Sequence, residues 1–283
     1  MPKEKNSRRY LPAPQSPYVT VDDVTGIVVR GPLGMNGIGD DRDPFAHQIK
    51  PRQKGKHKTL RGSEARVVRT RGASLYSGVQ PIQALGFEGK AHESGVEGDF
   101  WLVADYLWPD MTDARAQPGK VEWFDAAGKH TWYPDAWIRR PGHIDLLVEC
   151  KLVSDARPED PVEALAMRKR LEGMRLSSEI VGMRFGLYTE LEIRSEPRFH
   201  NAKAMRRALT AHIGEDVIND AASLLKELPE AMSVLEFSYH LGPHAALALN
   251  VVCILERLGA IAMDRRSFFL PETMFRNLWP ERD

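Results

Sequence analysis

Cysteine is scarce in this chain, and no apolar run is long. Two cysteines in 283 residues, Cys150 and Cys253, cannot build a disulfide framework and show no paired zinc-ligand spacing. The longest apolar run, residues 245–255, is interrupted by Asn250 and falls short of the roughly 18–20 residues that a membrane span needs. The opening Met-Pro-Lys-Glu-Lys has no apolar stretch of the secretory kind. No membrane partner is expected, and the expected location is cytoplasmic, with nucleoid association if the source is bacterial. Net charge is missing as well: 39 basic residues balance 39 acidic ones, so only the placement of charge can speak about partners. What is present is ordinary for a globular protein that buries a core, with 42% apolar and 28% charged residues. The length suggests about two domains.

The first part of the chain reads as a Pro-rich, basic, flexible arm over residues 1–60. Seven of the 19 prolines fall before residue 52, and no helical or strand period persists there, so little apolar surface offsets the entropy of ordering it. Through and beyond its end runs a basic block that includes Lys54, Lys56, Lys58, Arg61, Arg66, Arg69 and Arg71. Such a run is either a solvated arm or a sequence-independent phosphate contact, in which each neutralised phosphate releases a counterion.

Periodicity begins near Glu93. Val96, Phe100, Val103 and Leu107 recur at helical spacing, Ser94 and Glu97 are spaced as a capping box, and Pro109 ends the helix. Residues 120–124 and 129–138 flank Asp125-Ala-Ala-Gly128 as a hairpin, and residues 144–153 make a short apolar strand. Asp160-Pro161 starts a second helix whose buried face is Ala164, Met167, Leu171 and Met174, and residues 181–188 form another strand. The expected fold class is α/β, a mixed sheet flanked by helices over residues 61–196. Residues 197–283 read as a separate α-rich domain: helices over 201–212, 215–228, 233–241 and 244–258, then a hairpin of 260–263 with 267–270 tipped by Asp264-Arg265-Arg266. Helix, turn, helix and basic-tipped hairpin is the plan of a winged helix.

The chemistry is carried by Trp132-Tyr-Pro-Asp135 and Val148-Glu-Cys-Lys151. On a strand, Glu149 and Lys151 point the same way, while Val148, Cys150 and Leu152 point into the core. A carboxylate and an ammonium at the end of an apolar strand are costly to bury unless they are paired or coordinate something. Asp135, on the neighbouring strand, can fall opposite them. Asp135, Glu149 and the backbone carbonyl of Cys150 then make an all-oxygen site suited to magnesium. Lys151 can hold a water nucleophile or stabilise charge developing on a phosphate. The plainer reading of Glu-x-Lys is a solvent-facing ion pair. Glu97 is either a helix cap alone or a third carboxylate at this site, with Glu93 as a competitor.

These segments, Ser94-Gly-Val-Glu97, Pro134-Asp135 and Glu149-Cys-Lys151, resemble the PD-(D/E)xK nuclease superfamily. More narrowly they are similar to TnsA, the endonuclease subunit of heteromeric cut-and-paste transposases. The likeness continues through Phe185-Gly-Leu-Tyr-Thr-Glu190 and, more loosely, into the C-terminal region. The resemblance implies a restriction-endonuclease-like fold in which Glu97, Asp135, Glu149 and Lys151 are catalytic. It implies one or two magnesium ions, with manganese able to substitute, and cleavage of one strand, at the 5′ ends, of double-stranded DNA at transposon termini. The implied partners are a DDE-type transposase subunit and an AAA+ ATPase regulator. Since no G-x-x-x-x-G-K-[ST] loop occurs here, ATP would be handled by a partner. Lys151-Leu152 departs from the family, where proline often follows the lysine. The alternatives are a stand-alone restriction or defence nuclease of the same superfamily, or a catalytically silent DNA-binding adaptor. The intact Asp135, Glu149 and Lys151 set argues against the silent adaptor.

Three further features admit a plainer reading. Trp123, Trp132 and Trp137 read as core rather than as base-stacking platforms. Arg168, Lys169, Arg170 and Arg175 read as a wet helix face. His240 and His244 lie four apart with Cys253 following, but Gly242-Pro243 breaks the helix between the two histidines, so they do not share a helical face, which argues against zinc.

Overall fold

Pro134 decides how the strands are shared out. In the computed structural model, which describes residues 19–22, 24–48 and 77–278, the predicted strand over 129–138 is two strands in different sheets, separated by Tyr133-Pro134-Asp135. Proline cannot donate to a ladder, and the chain leaves one sheet and enters another across it.

The described residues fall into two units. The first, up to Gly98 and from Asp110 to Thr189, holds strands β1 (Val19–Val21), β2 (Val28–Arg30), β3 (Gly78–Ile82), β4 (Glu88–His92), β5 (Asp113–Ala116), β6 (Val121–Asp125), β7 (Gly128–Trp132), β8 (Ala136–Arg139), β9 (Leu146–Lys151) and β10 (Arg184–Thr189). Helix α1 (Gly95–Leu107) begins in it, and α2 (Val153–Ala156) and α3 (Pro161–Ile180) belong to it. One sheet runs β1-β2-β6-β7, and a second runs β10-β9-β8-β5, while β3 and β4 pair alone. In the second sheet β5, β8 and β9 are antiparallel neighbours, and β10 joins β9 in parallel after the α3 crossover. A mixed sheet was the expectation, and the chain is mixed α/β.

Local chemistry explains the punctuation. Asp125 Oδ1 accepts the N–H groups of Ala127 and Gly128 at 2.8 and 3.1 Å, and Gly128 takes φ +122° to close the β6–β7 turn. Asp160 caps α3 by accepting from Val162 and Glu163, with Pro161 in the first turn. Met174 reaches the core that joins both sheets and α3, together with Val29, Phe45, Val121, Trp123, Trp132, Trp137 and Leu147. Each buried indole removes roughly 150–250 Å² from water, about 4–6 kcal/mol before the entropy of ordering is charged against it.

Several sequence expectations need correction. Part of the stretch read as a flexible arm is built into the first unit: β2 pairs with β6, placing Val29 opposite Trp123, and Val28, Val29 and Phe45 are fully buried. That pairing joins residues far apart in sequence, so local composition carries no sign of it. Lys54, Lys56, Lys58, Arg61, Arg66, Arg69 and Arg71 lie outside the described residues. Leu152, expected in the core, is 44% exposed, because β9 stops at Lys151 and the chain turns into α2.

The second unit comprises Asp99–Pro109, the later turns of α1, and the chain from Glu190 onward. It holds α4 (Glu190–Ile193), α5 (Arg198–Thr210), α6 (Glu215–Leu224), α7 (Val234–His240) and α8 (Ala248–Arg257), with β11 (Ala231–Ser233), β12 (Ile261–Met263) and β13 (Met274–Asn277). The Ser233–Glu236 capping box forms as its spacing predicts. The predicted helix over 244–258 is shorter, beginning at Ala248 after a 3₁₀ stretch from Gly242. The predicted hairpin differs too: β12 pairs with β13, not with residues 267–270, and β11 adds a third strand. Residues 267–269 instead rest on buried Asn201 of α5, whose side chain donates to Ser267 O at 2.9 Å and accepts from Phe269 N–H at 2.8 Å.

Candidate active site

Acidic residues stand at both ends of the β8–β9 pair, and the two ends are treated differently. Ala136 pairs with Val148, so Asp135 and Glu149 are the next residues outward at one end. At the other end Asp145 meets Arg139 at 2.8 Å and the Trp137 indole N–H at 2.9 Å. The guanidinium carbons of Arg139 and Arg115 lie 5.0 and 5.4 Å from the Trp137 ring centroid. Acid and base balance there. At the Asp135 end acid is in excess.

Asp135 is held by backbone. Its N–H donates to Val148 O at 2.8 Å, its carbonyl accepts from Gln117 N–H at 3.0 Å, and its Oδ2 accepts from Cys150 N–H at 2.7 Å. Burial pushes its carboxyl well above the usual carboxylate range, and the charges of Glu149 and Glu97 push it further, against the pull of the Cys150 N–H and of Lys151. Glu149 is 5% exposed, with Oε1 at 2.8 Å from Lys151 Nζ and Oε2 accepting from Trp132 Nε1 at 2.6 Å. Glu149 and Lys151 therefore share a face, as strand alternation predicts.

Ser94 caps α1 and Glu97 supports the cap, although the Glu97 carboxylate accepts from Glu93 N–H and not from the Ser94 N–H of the capping box that the spacing predicts. Glu97 N–H donates to Ser94 Oγ at 3.2 Å, Ser94 Oγ donates to Glu97 Oε1 at 2.9 Å, and Glu93 N–H donates to Glu97 Oε2 at 2.9 Å. Burial still raises its carboxyl, and the Glu93 charge adds to that. Glu97 also acts on Asp135 and on the partly buried Cys150 thiol, which burial first, and then Asp135, Glu97 and Glu149, push up. Capping and membership of this acidic group are thus compatible. The structure brings Glu97, Asp135, Glu149 and Lys151 together.

The donor chemistry fits a hard divalent cation. Asp135 and Glu149 offer carboxylate oxygens, Cys150 a carbonyl, and the raised proton affinity of Asp135 and Glu97 marks negative charge that a cation would relieve. Among the described residues no three His, Cys, Asp or Glu side chains are set to hold a metal by themselves. Magnesium bound through one or two carboxylates normally keeps several waters.

Trp132 is core, as its sequence context suggests, but it also bonds Glu149, which the sequence does not announce. The available signal was that a buried indole N–H seeks a partner. Beside Asp135 stands Gln117, a buried non-glycine residue at φ +43°, whose Oε1 has no partner. Nothing in the local sequence announces that conformation. Elsewhere, His240 and His244 line a cavity of about 480 Å³ in the second unit with Asp220 and Glu227, and Cys253 is buried in α8 with its thiol pushed up to about 12 by burial.

No protein-family model matches the chain, and no curated protein matches it.

Proposed function

We propose that this chain is a metal-dependent DNA endonuclease of the PD-(D/E)xK type, similar to TnsA, that cuts one strand at transposon ends within a heteromeric transposase. One observation carries the reading: at the acid-rich end of β8 and β9, Asp135 and Glu149 occupy neighbouring positions, with Lys151 Nζ 2.8 Å from Glu149. The strand order β5-β8-β9-β10, with α1 before it and α3 crossing between its last two strands in sequence, supports a restriction-endonuclease-like core. The helices and three-stranded sheet of the second unit support a winged-helix-like reading, although the strand paired with β12 is β13.

Asp135 and Glu149, with the Cys150 carbonyl, would hold magnesium, or manganese in its place. A bound ion of this kind supplies polarisation of the scissile phosphate. Lys151 orients a water for in-line attack on phosphorus, and Glu97 assists in taking up its proton. The new P–O bond forms as the bond to the leaving deoxyribose oxygen breaks, and the departing oxygen is protonated by solvent. Cleavage at the 5′ ends leaves the 3′ ends to a DDE-type transposase subunit. ATP belongs to an AAA+ regulator, consistent with the missing phosphate-binding loop.

The test is nicking of transposon-end DNA with magnesium, by the chain alone and with the DDE-type subunit. Asp135→Ala and Lys151→Ala are expected to abolish nicking while circular dichroism stays that of the parent. If both variants cut as well as the parent, the assignment is wrong. Cutting of arbitrary DNA by the chain alone would mark a stand-alone restriction or defence nuclease instead.

A further inference from the structure

Trp132 ends β7, in the sheet that does not contain Glu149, yet its indole N–H is spent on that carboxylate. Trp132 is 1% exposed and Glu149 5%, and the bond is 2.6 Å long. The Phe185 ring of β10 packs edge-on against the indole, with centroids 5.6 Å apart, so the donor cannot swing away without opening the core. The other oxygen of Glu149 is taken by Lys151 at 2.8 Å. A neutral donor on one oxygen and an ammonium on the other leave the carboxylate one orientation. An N–H on a ligating carboxylate holds it in place without adding a competing charge.

We infer that Trp132 is a positioning residue of the candidate site, fixing the Glu149 carboxylate toward Lys151 and tying the β6–β7 hairpin to the acidic cluster. This rests on the endonuclease reading above for its consequence, but not for the bond itself.

The indole N–H resonances of the full chain separate the two. The sequence has six tryptophans, and the signal lost in Trp132→Phe is that of Trp132. The expected result is that this signal moves in Glu149→Gln, moves when magnesium is added to the parent, and does not respond to magnesium in Asp135→Asn. Trp132→Phe keeps an aromatic ring in the core and is expected to lower manganese affinity and cleavage rate about 10–100-fold, with KM for DNA unchanged. A Trp132 signal indifferent to Glu149→Gln would overturn the inference directly, even if Trp132→Phe fails to fold. So would a folded Trp132→Phe that binds manganese and cuts as the parent does, since the indole would then only pack. If the parent takes up no manganese and cuts no DNA, the endonuclease reading falls and the positioning role falls with it. The response to Glu149→Gln would then mark a purely structural bond.

Discussion

The backbone N–H of Cys150 donates to Oδ2 of Asp135 at 2.7 Å, so the strand carrying Glu149 and Lys151 also grips the carboxylate that stands just before its antiparallel neighbour β8. The bond stabilises the ionised form of Asp135, but burial and the neighbouring acids outweigh it and raise the carboxyl well above its usual range. Such a site is strained by its own charge.

The pH dependence follows from that imbalance. Asp135 and Glu97 both have raised carboxyls in the folded chain, so over the interval above the ordinary carboxylate range the native state binds protons that the unfolded chain has released. Their contribution is most favourable at low pH and is lost as pH rises through the folded values. Asp135→Asn keeps an acceptor for the Cys150 N–H and removes the charge. Urea midpoints from about pH 5 to about pH 8 should show the variant gaining on the parent as pH rises, and magnesium should raise the melting temperature of the parent only. A difference between the two that does not change with pH would contradict the raised carboxyl.

The opposite end of the same strands should behave oppositely. Asp145 is buried against Arg139 and the Trp137 indole. Replacing it by alanine leaves a guanidinium and an indole N–H without their acceptor, a loss of about 3–5 kcal/mol. Denaturant unfolding reads this cost, and manganese binding by the folded fraction should be unaltered.

Gly173 tests how closely α3 lies on β6. An added Cβ would stand 2.6 Å from the Trp123 ring, and that indole is buried on its β6 strand. In an open helix, Gly→Ala stabilises by about 0.5–1 kcal/mol, but here overpacking should reverse the sign and cost roughly 1–3 kcal/mol. A Gly173→Ala chain that melts higher than the parent would show that this approach is looser than described.

In the second unit, Asn201→Ala removes the acceptor for Phe269 N–H and the donor to Ser267 O. Leaving those backbone groups unpaired should cost about 1–3 kcal/mol. Hydrogen exchange at the Phe269 amide should accelerate more than exchange within α8.

Much of the helical punctuation was legible because it is local. Asp160-Pro161 and the Ser233–Glu236 pair act within one turn, and short-range chemistry gives them one outcome. Strand pairing was legible only where a turn enforced it, as at Asp125 to Gly128. The chain's reuse of residues 28–45 as core, the break at Pro134 between two sheets and the β12–β13 pairing each depend on contacts distant in sequence, which local patterning does not encode. For the site, alternation put Glu149 and Lys151 on one face. The bond from Trp132 to Glu149 and the shift of Asp135 were beyond its reach.

The order of residues by itself determined where the first helix is capped, which strand bears Glu149 and Lys151, and that Pro134 with Asp135 precedes it. Only the tertiary structure decided that Asp135 and Asp145, two acids flanking the same pair of strands, have opposite fates. One is paired with an arginine and bonded by an indole N–H, the other left crowded with acid. Spacing along a chain constrains which side chains share a face, whereas the net charge around a buried carboxylate is a sum over groups that folding brings in from elsewhere.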